Sequence, residues 1–440
     1  MAAEAAEAEG VEVYRAFEPF ARLTRRSATL DGAVPLRVAQ ACVPFLEGNA
    51  AGLQISFERR LTVRTRLGRV QFADDDARRH VDVVLRALVP LYVERGLLRR
   101  GGPWHQQLSR AWSWTERGVL RVWTGLLVRP PAGAWLRVSD AGNRRPLGLT
   151  VRRTYVAGDE LVPLVVDFAS PRDGARLEGE VATVLAVPHT VGSSIVDVAD
   201  APELALAHAS FYDARYFGRK TEANTKKYRR LVSREVDELD EGGAGHVKIA
   251  QVAGPAPQWV PVDHALGAGS VRPGPAPHDQ ALGLVRFRNA VGFRAQFDGN
   301  TFDVQPETKE LERGAKDVRR ALERAMGEGW ALDHKGALLY LTKYFTPHPK
   351  GEPHFFVKPW ALVATPPGWS VVVEAAEGFA APPLEVMRGA VWTDRFHAVP
   401  AVFHATGDRT ARVRAGDPLV DVVAVPRRLL ALDARVREVT

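Results

Sequence analysis

Sulfur is nearly absent from this chain: one cysteine, Cys42, and three methionines among 440 residues. A single thiol closes no internal disulfide and builds no thiolate-rich metal site, so a cytoplasmic location is expected. Cys42 stands just before a proline in an apolar run, where cysteine behaves as a small core residue. Long apolar runs are missing as well. None approaches the roughly 20 residues that cross a bilayer, so no transmembrane helix and no membrane partner is expected. The N-terminus, MAAEAAEAEG, has neither a basic stretch nor an apolar one and reads as a frayed tail, not a secretory signal.

Catalytic signatures are scarce too. No Gly-rich phosphate loop joins a strand to a helix, and no G-x-S-x-G elbow occurs. His80 and Asp82 have the spacing of an iron-binding pair but fall in an expected helix. His348 and His354 flank the turn PHPKGEPH without a third ligand. Gly192-Ser193-Ser194, after His189, reads as a turn. No metal, no cofactor and no catalytic residue is therefore expected.

What the chain does contain is a repeat. Pro130-Pro131, Trp135, Pro163, Gly179-Glu180 and Ala186-Val187-Pro188 return in the same order as Pro366-Pro367, Trp369, Pro400, Gly416-Asp417 and Ala424-Val425-Pro426. Upstream, Asn49-Ala50-Ala51-Gly52-Leu53 with Phe57 is echoed by Asn289-Ala290-Val291-Gly292-Phe293 with Phe297. Order and spacing together point to an internal duplication. Each copy begins with an alternating stretch read as a hairpin. In the first, Leu53, Ile55 and Phe57 are followed by Leu61 and Val63; the second spans Val285–Val304, with Asp298-Gly299-Asn300 as its turn. A helix follows in each, over 74–95 with Pro90 as a kink or early end, and over 307–326. Short alternating runs punctuated by Pro-Pro and Gly turns then predict a small antiparallel barrel or sandwich. The fold class expected is α+β and β-rich, with two homologous domains. A lead-in over 1–40, with an amphipathic piece from Val13 to Leu23, precedes a first repeat domain over 41–190. A basic helical segment and Gly/Pro linker over 191–282 leads to a second repeat domain over 283–430.

The net charge is +7 with a strong preference for Arg over Lys. That permits an acidic partner without specifying one. Charge concentrates between the repeats, where Arg215, Arg219, Lys220, Lys226, Lys227, Arg229 and Arg230 surround four aromatics. Such a helix can clamp the two domains, stack on bases, or hold carboxylates through bidentate arginine contacts. Confinement of the charge to one segment favours a peptide over nucleic acid. Tyr155, Trp392 and Arg395 complete the candidate peptide-binding set, and strand edges offer backbone pairing.

Two resemblances follow from these residues. The pattern PPGWS, GAVWTDRF and AGDPLVDVVAVPRR, with FYDARYF and NTKKYRRL, resembles a group of uncharacterised bacterial and phage proteins. Its layout is similar to that of the trimeric dUTPases. Trp392 interrupts the Asp segment, and the Ser-rich and Gly-rich phosphate motifs are missing, so a dUTPase-like nucleotide hydrolase is the second reading. A phage-derived structural or nucleic-acid-binding protein is a third. In overall character the chain is similar to the peptide-binding proteins of crocagin biosynthesis. That resemblance implies an auxiliary protein that holds a ribosomally made precursor peptide during its conversion to a pyrroloindoline alkaloid. The partners implied are that peptide and a tailoring oxygenase.

Overall fold

A computed structural model of the chain describes residues 10–15, 21–25, 45–47, 52–64, 69–73, 75–116, 118–140, 150–157, 160–169, 173–189, 191–201, 204, 246–260, 265–266, 283–326, 345–347, 354–357, 360–394 and 397–439. Strands β1 (Val11–Arg15), β2 (Ala21–Thr24) and β3 (Phe45–Glu47) precede a long β4 (Leu53–Arg64), which turns back into β5 (Arg69–Phe72). Helices α1 (Asp75–Glu94) and α2 (Pro103–Arg110) follow, then β6 (Ser113–Glu116), β7 (Val119–Arg129) and β8 (Ala134–Asp140). Next come β9 (Thr150–Arg152), β10 (Thr154–Val156), β11 (Val162–Ala169) and β12 (Arg176–Pro188). Four short strands connect the halves: β13 (Gly192–Ile195), β14 (His246–Gln251), β15 (Gln258–Trp259) and β16 (Ala265–Leu266). The second half opens with β17 (Leu284–Arg288), β18 (Phe293–Phe297), β19 (Phe302–Pro306) and α3 (Thr308–Met326). It continues through β20 (Phe345–Pro347), β21 (His354–Val357), β22 (Ala361–Ala364), β23 (Trp369–Ala375), β24 (Leu384–Val386) and β25 (Gly389–Val391). It ends with β26 (Ala401–Ala405), β27 (Ala411–Val413), β28 (Pro418–Pro426), α4 (Arg427–Leu430) and β29 (Ala434–Glu438). The α+β, β-rich class is as expected.

Strand order and register recur between the halves. The ladder β9-β11-β7 pairs Val151 with Phe168 and Phe168 with Leu120. The ladder β24-β26-β21 pairs Val386 with Phe403 and Phe403 with Phe355 in the same way. Likewise β10-β8-β12 sets Tyr155 against Arg137 and Arg137 against Leu185, where β25-β23-β28 sets Ala390 against Val372 and Val372 against Val423. Gly125 lies at φ 83°, and its counterpart Trp360 is the one non-glycine residue with positive φ among the described residues, at 52°. Register also moves one match. The amides of Ala134 and Trp369 both donate to a proline carbonyl, Pro131 and Pro366 respectively, at 3.1 Å. Trp369 therefore takes the place of Ala134, not of Trp135. The upstream echo does not carry over either: Leu53 pairs with Val184 as Val285 pairs with Val422.

Several local expectations shift. The piece from Val13 to Leu23 includes parts of β1 and β2, two strands in different sheets. The alternation from Leu53 to Val63 is one twelve-residue strand, whose hairpin partner is β5. Helix α1 continues through Pro90, which lies within its last turns. In the second half the turn at Asp298 is as expected, with Asp298 Oδ1 accepting from the amides of Asn300 and Thr301 at 2.8 and 2.6 Å. It joins β18 to β19, while β17 pairs with β28.

Two apolar clusters form, one per half, and the sheet of β17, β28, β23 and β25 touches both. Val371, Val373, Val422 and Ala424 point into the second cluster; Val372, Val423 and Val425, one residue out of phase, join the first. A strand buried on both faces reads as a continuous apolar run, which is why VVV and VVAV occur here. The halves thus meet across a seam between two sheets.

Helix α3 packs on the second cluster through Val318 and Ala321. Gly314 on this helix faces the indole of Trp360, where a Cβ would lie 2.4 Å from two ring carbons. Alanine gains about 1 kcal/mol over glycine in a helix, but overpacking a fully buried tryptophan costs about 1–3 kcal/mol. Gly314→Ala is expected to lower stability by up to about 2 kcal/mol in urea unfolding; a more stable variant would show that α3 and Trp360 are less tightly opposed.

Candidate functional site

On the seam face of β23 and β28, the apolar runs are each broken by one carboxylate, Glu374 and Asp421. Neither is exposed to any extent, with side chains 8% and 0% accessible. Three arginines surround Glu374. Arg137, directly opposite Tyr155 in the β8–β10 ladder, meets its Oε1 through Nη2. Arg153, between β9 and β10, donates from Nε and Nη2 to Oε1 at 3.1 and 2.6 Å, and from Nη2 to Asp421 Oδ2 at 2.8 Å. Arg388, the counterpart of Arg153 in the second half, approaches Oε2 to 3.8 Å. Arg286 on β17 holds Asp421 through two contacts, at 2.8 and 3.0 Å. Ser139, the counterpart of Glu374, donates to its Oε2 at 3.3 Å.

Ser139 and Glu374, which share a register position in their ladders, therefore touch. The electrostatics follow from burial. Burial alone would raise the Glu374 carboxyl, but Arg137, Arg153 and Arg388 reverse this and hold it at about 2. Burial also works against the charge of Arg153, which Glu374 and Asp421 together restore and raise above the ordinary value. Arg388 has less support. Burial outweighs its attraction to Glu374, Arg137 adds repulsion, and it falls to about 10.

A cavity of about 510 Å3 opens over this cluster. Ser139, Arg153, Glu374 and Arg388 lie at its floor, with the segment Ala375–Pro383 forming a wall. Strands β9 and β24 flank it on opposite halves. Each is the last strand of its sheet in the strand order: β9 pairs with β11, and β24 pairs with β26 and is bridged at Leu384 to Ala381. Val151 and Val386, which hold the same register in their ladders, both line the cavity.

The candidates read from sequence divide. Arg215, Arg219, Lys220, Lys226, Lys227, Arg229, Arg230 and Arg395 lie outside the described residues. Tyr155 and Trp392 are described and enclosed, at 2% and 3% accessibility, so neither presents its ring to a ligand at the surface. Tyr155 packs edge-on to Trp135 at 6.3 Å, and its hydroxyl is pushed up by burial. Trp392 packs in the seam with the Arg427 guanidinium 5.5 Å from its ring, and Arg427 forms a bidentate pair with Asp394. Sequence reasoning missed Arg137, Arg153, Glu374, Arg388 and Asp421. The available signal was a charge inside an apolar strand, in WLRVS, VVVEA and LVDVV.

Other constellations carry less chemistry. Ser194 Oγ lies 2.8 Å from His246 Nε2, but both are exposed at this contact and no described carboxylate orients the ring. His354 and His404 face each other across β21 and β26 at 3.2 Å, and burial lowers the His404 imidazole. Among the described residues no group of three His, Cys, Asp or Glu side chains is placed to hold a metal ion, and no helix is long and apolar enough to cross a membrane.

No described protein family and no curated protein matches the chain. Among solved structures, 2'-deoxycytidine 5'-triphosphate deaminase from Agrobacterium tumefaciens is similar over 72% of this chain and 75% of that one, at 9% identity and a TM-score of 0.21. A likeness at that level carries no argument about fold or activity.

Proposed function

We propose that this protein is a peptide-binding accessory protein and that its guest lies in the cavity between the halves. The observation that carries the reading is the pair of edge strands, β9 and β24, at the cavity wall. The outer edge of a sheet offers alternating amide and carbonyl groups, and an extended peptide is the ligand whose own backbone complements that pattern. The charge of the lining agrees with such a guest. Arg152, Arg153 and Arg388 are interspersed with Asp140, Glu374, Glu377 and Glu385, so the cavity suits a chain bearing charges of both signs. A nucleotide's phosphate chain would meet four carboxylates there, which weighs against nucleotide hydrolysis. That the peptide is a ribosomally made precursor, held while a tailoring oxygenase modifies it, rests on the sequence resemblance to crocagin-type proteins alone.

Calorimetric titration with extended peptides bearing charges of both signs is expected to give a dissociation constant of about 10 μM or tighter for the cognate one. Hydrogen exchange in the complex should slow at the amides of Thr150–Arg152 and Leu384–Val386. Absence of heat at high micromolar concentration, or protection confined to other strands, would remove the reading.

A further inference from the structure

Each half ends in a strand that lies on the other half. In β29-β1-β7, Val13 sits between Val436, on a parallel neighbour, and Val128, on an antiparallel one. In β13-β14-β22, Ile249 sits in the same way between Ile195 and Val363. Val128 and Val363 stand equally far along the chain from Leu120 and Phe355, positions matched above. In chain order β13 follows β12 as β29 follows β28, yet β13 joins β14 of the second half and β29 joins β1 of the first. The apolar contacts agree. Val191 and Ile195 belong with the second cluster, Ala434 and Val439 with the first. The first of these donations links consecutive halves of one chain. The second joins the two end strands, a contact that the same strands on different copies can equally form.

We propose that the β1 edge is a strand-accepting site, and that β29 is a donor strand which serves a second copy of this chain as well as its own. The fit identifies the partner. Glu12 Oε1 accepts from Arg437 Nη2 at 2.9 Å, and Arg15 Nη2 donates to Glu438 Oε1 at 2.6 Å. At the two ends of the ladder the Val11 amide donates to the Asp433 carbonyl at 3.0 Å and the Val439 amide to the Arg15 carbonyl at 2.9 Å. The segment that this edge selects is therefore the chain's own C-terminal strand, and a second copy carries it. No residue of β29 is itself buried; Val439, just beyond it, is. A strand held by backbone bonds, exposed ion pairs and one apolar anchor opens at lower cost than the strands of the core. Mutual donation between two copies closes a dimer. None of this depends on the cavity or on what binds there.

Disulfide trapping between full-length copies provides the test. Arg15 and Glu438 are direct partners in the ladder, with side chains 36% and 64% accessible, so cysteines there would face each other in water. One copy carries Cys42→Ser and Arg15→Cys, the other Cys42→Ser and Glu438→Cys, and neither can close a disulfide within itself. A third carries Cys42→Ser and Arg22→Cys; Arg22 is 50% accessible on β2, in a different sheet. Pairs of copies are mixed at about 0.1 mM and oxidised slowly. A ladder holds facing thiols at an effective concentration of about 1 mM or above, so the Arg15→Cys and Glu438→Cys copies are expected to link about tenfold faster than the Arg22→Cys and Glu438→Cys copies. A chain carrying both Arg15→Cys and Glu438→Cys should instead close on itself at any dilution. Equal rates for the two mixtures would overturn donation to a second copy. Failure of the doubly substituted chain to close would overturn the strand-accepting site itself.

Discussion

Glu374→Gln is expected to destabilise the protein by about 3–5 kcal/mol, the usual cost of deleting one partner from a buried ionic network. The amide keeps the shape of the side chain but leaves Arg137, Arg153 and Arg388 gathered around a neutral group, with Asp421 as the remaining buried carboxylate. Urea unfolding would show a lower midpoint with little change in slope, since the same surface is exposed. Acid provides an independent readout. The folded carboxyl is held at about 2, below its ordinary value of 4.5. A depressed carboxyl contributes stability that is complete above the unfolded value and fades as pH falls toward the folded one. The native protein should therefore lose about 3 kcal/mol between roughly pH 4.5 and pH 2 from this group, and Glu374→Gln should lack that part of the acid limb. Identical acid limbs would mean that the three arginines do not hold Glu374 ionised.

The second large effect comes from a pair that the halves treat differently. Arg121 on β7 forms a bidentate contact with Asp167 on β11, both contacts at 2.6 Å, and Asp167 is 1% accessible. At the same register the second half pairs Phe356 with Val402. Arg121→Leu alone strands a buried carboxylate and is expected to cost about 3–5 kcal/mol. Arg121→Phe together with Asp167→Val transplants the apolar pair from the other half. Because a buried ion pair returns little more than its desolvation costs, the double variant is expected to lie within about 1 kcal/mol of the native protein, or above it. A double variant as unstable as the single one would show that the two ladders, although alike in register, are not alike in packing.

Much of the fold was legible because the pattern was periodic. The helices over 75–94 and 308–326 and the turn at Asp298 follow from apolar stripes and from Asx hydrogen bonding, both local effects. Leu53 to Val63 shows where local reading fails: an alternating run has no mark for where a strand turns, and β4 runs straight on to Arg64. The candidate site was read poorly for a related reason. Aromatics interleaved with clustered basic residues invite attention, whereas Arg137, Glu374 and Asp421 are single charges whose meaning depends on which strands face one another. That is a long-range fact; Arg153 and Asp421 meet only because the seam brings the halves together.

The pairing of β1 with β29 bears on how the chain responds to tension. The two strands run parallel, from Val11 beside Ala434 to Arg15 beside Glu438. Force applied through the chain ahead of Val11 and beyond Glu438 would drag these strands past each other lengthwise, loading all their hydrogen bonds together. Pulling across an antiparallel hairpin opens its bonds one at a time; here the ladder resists as a whole until it slips.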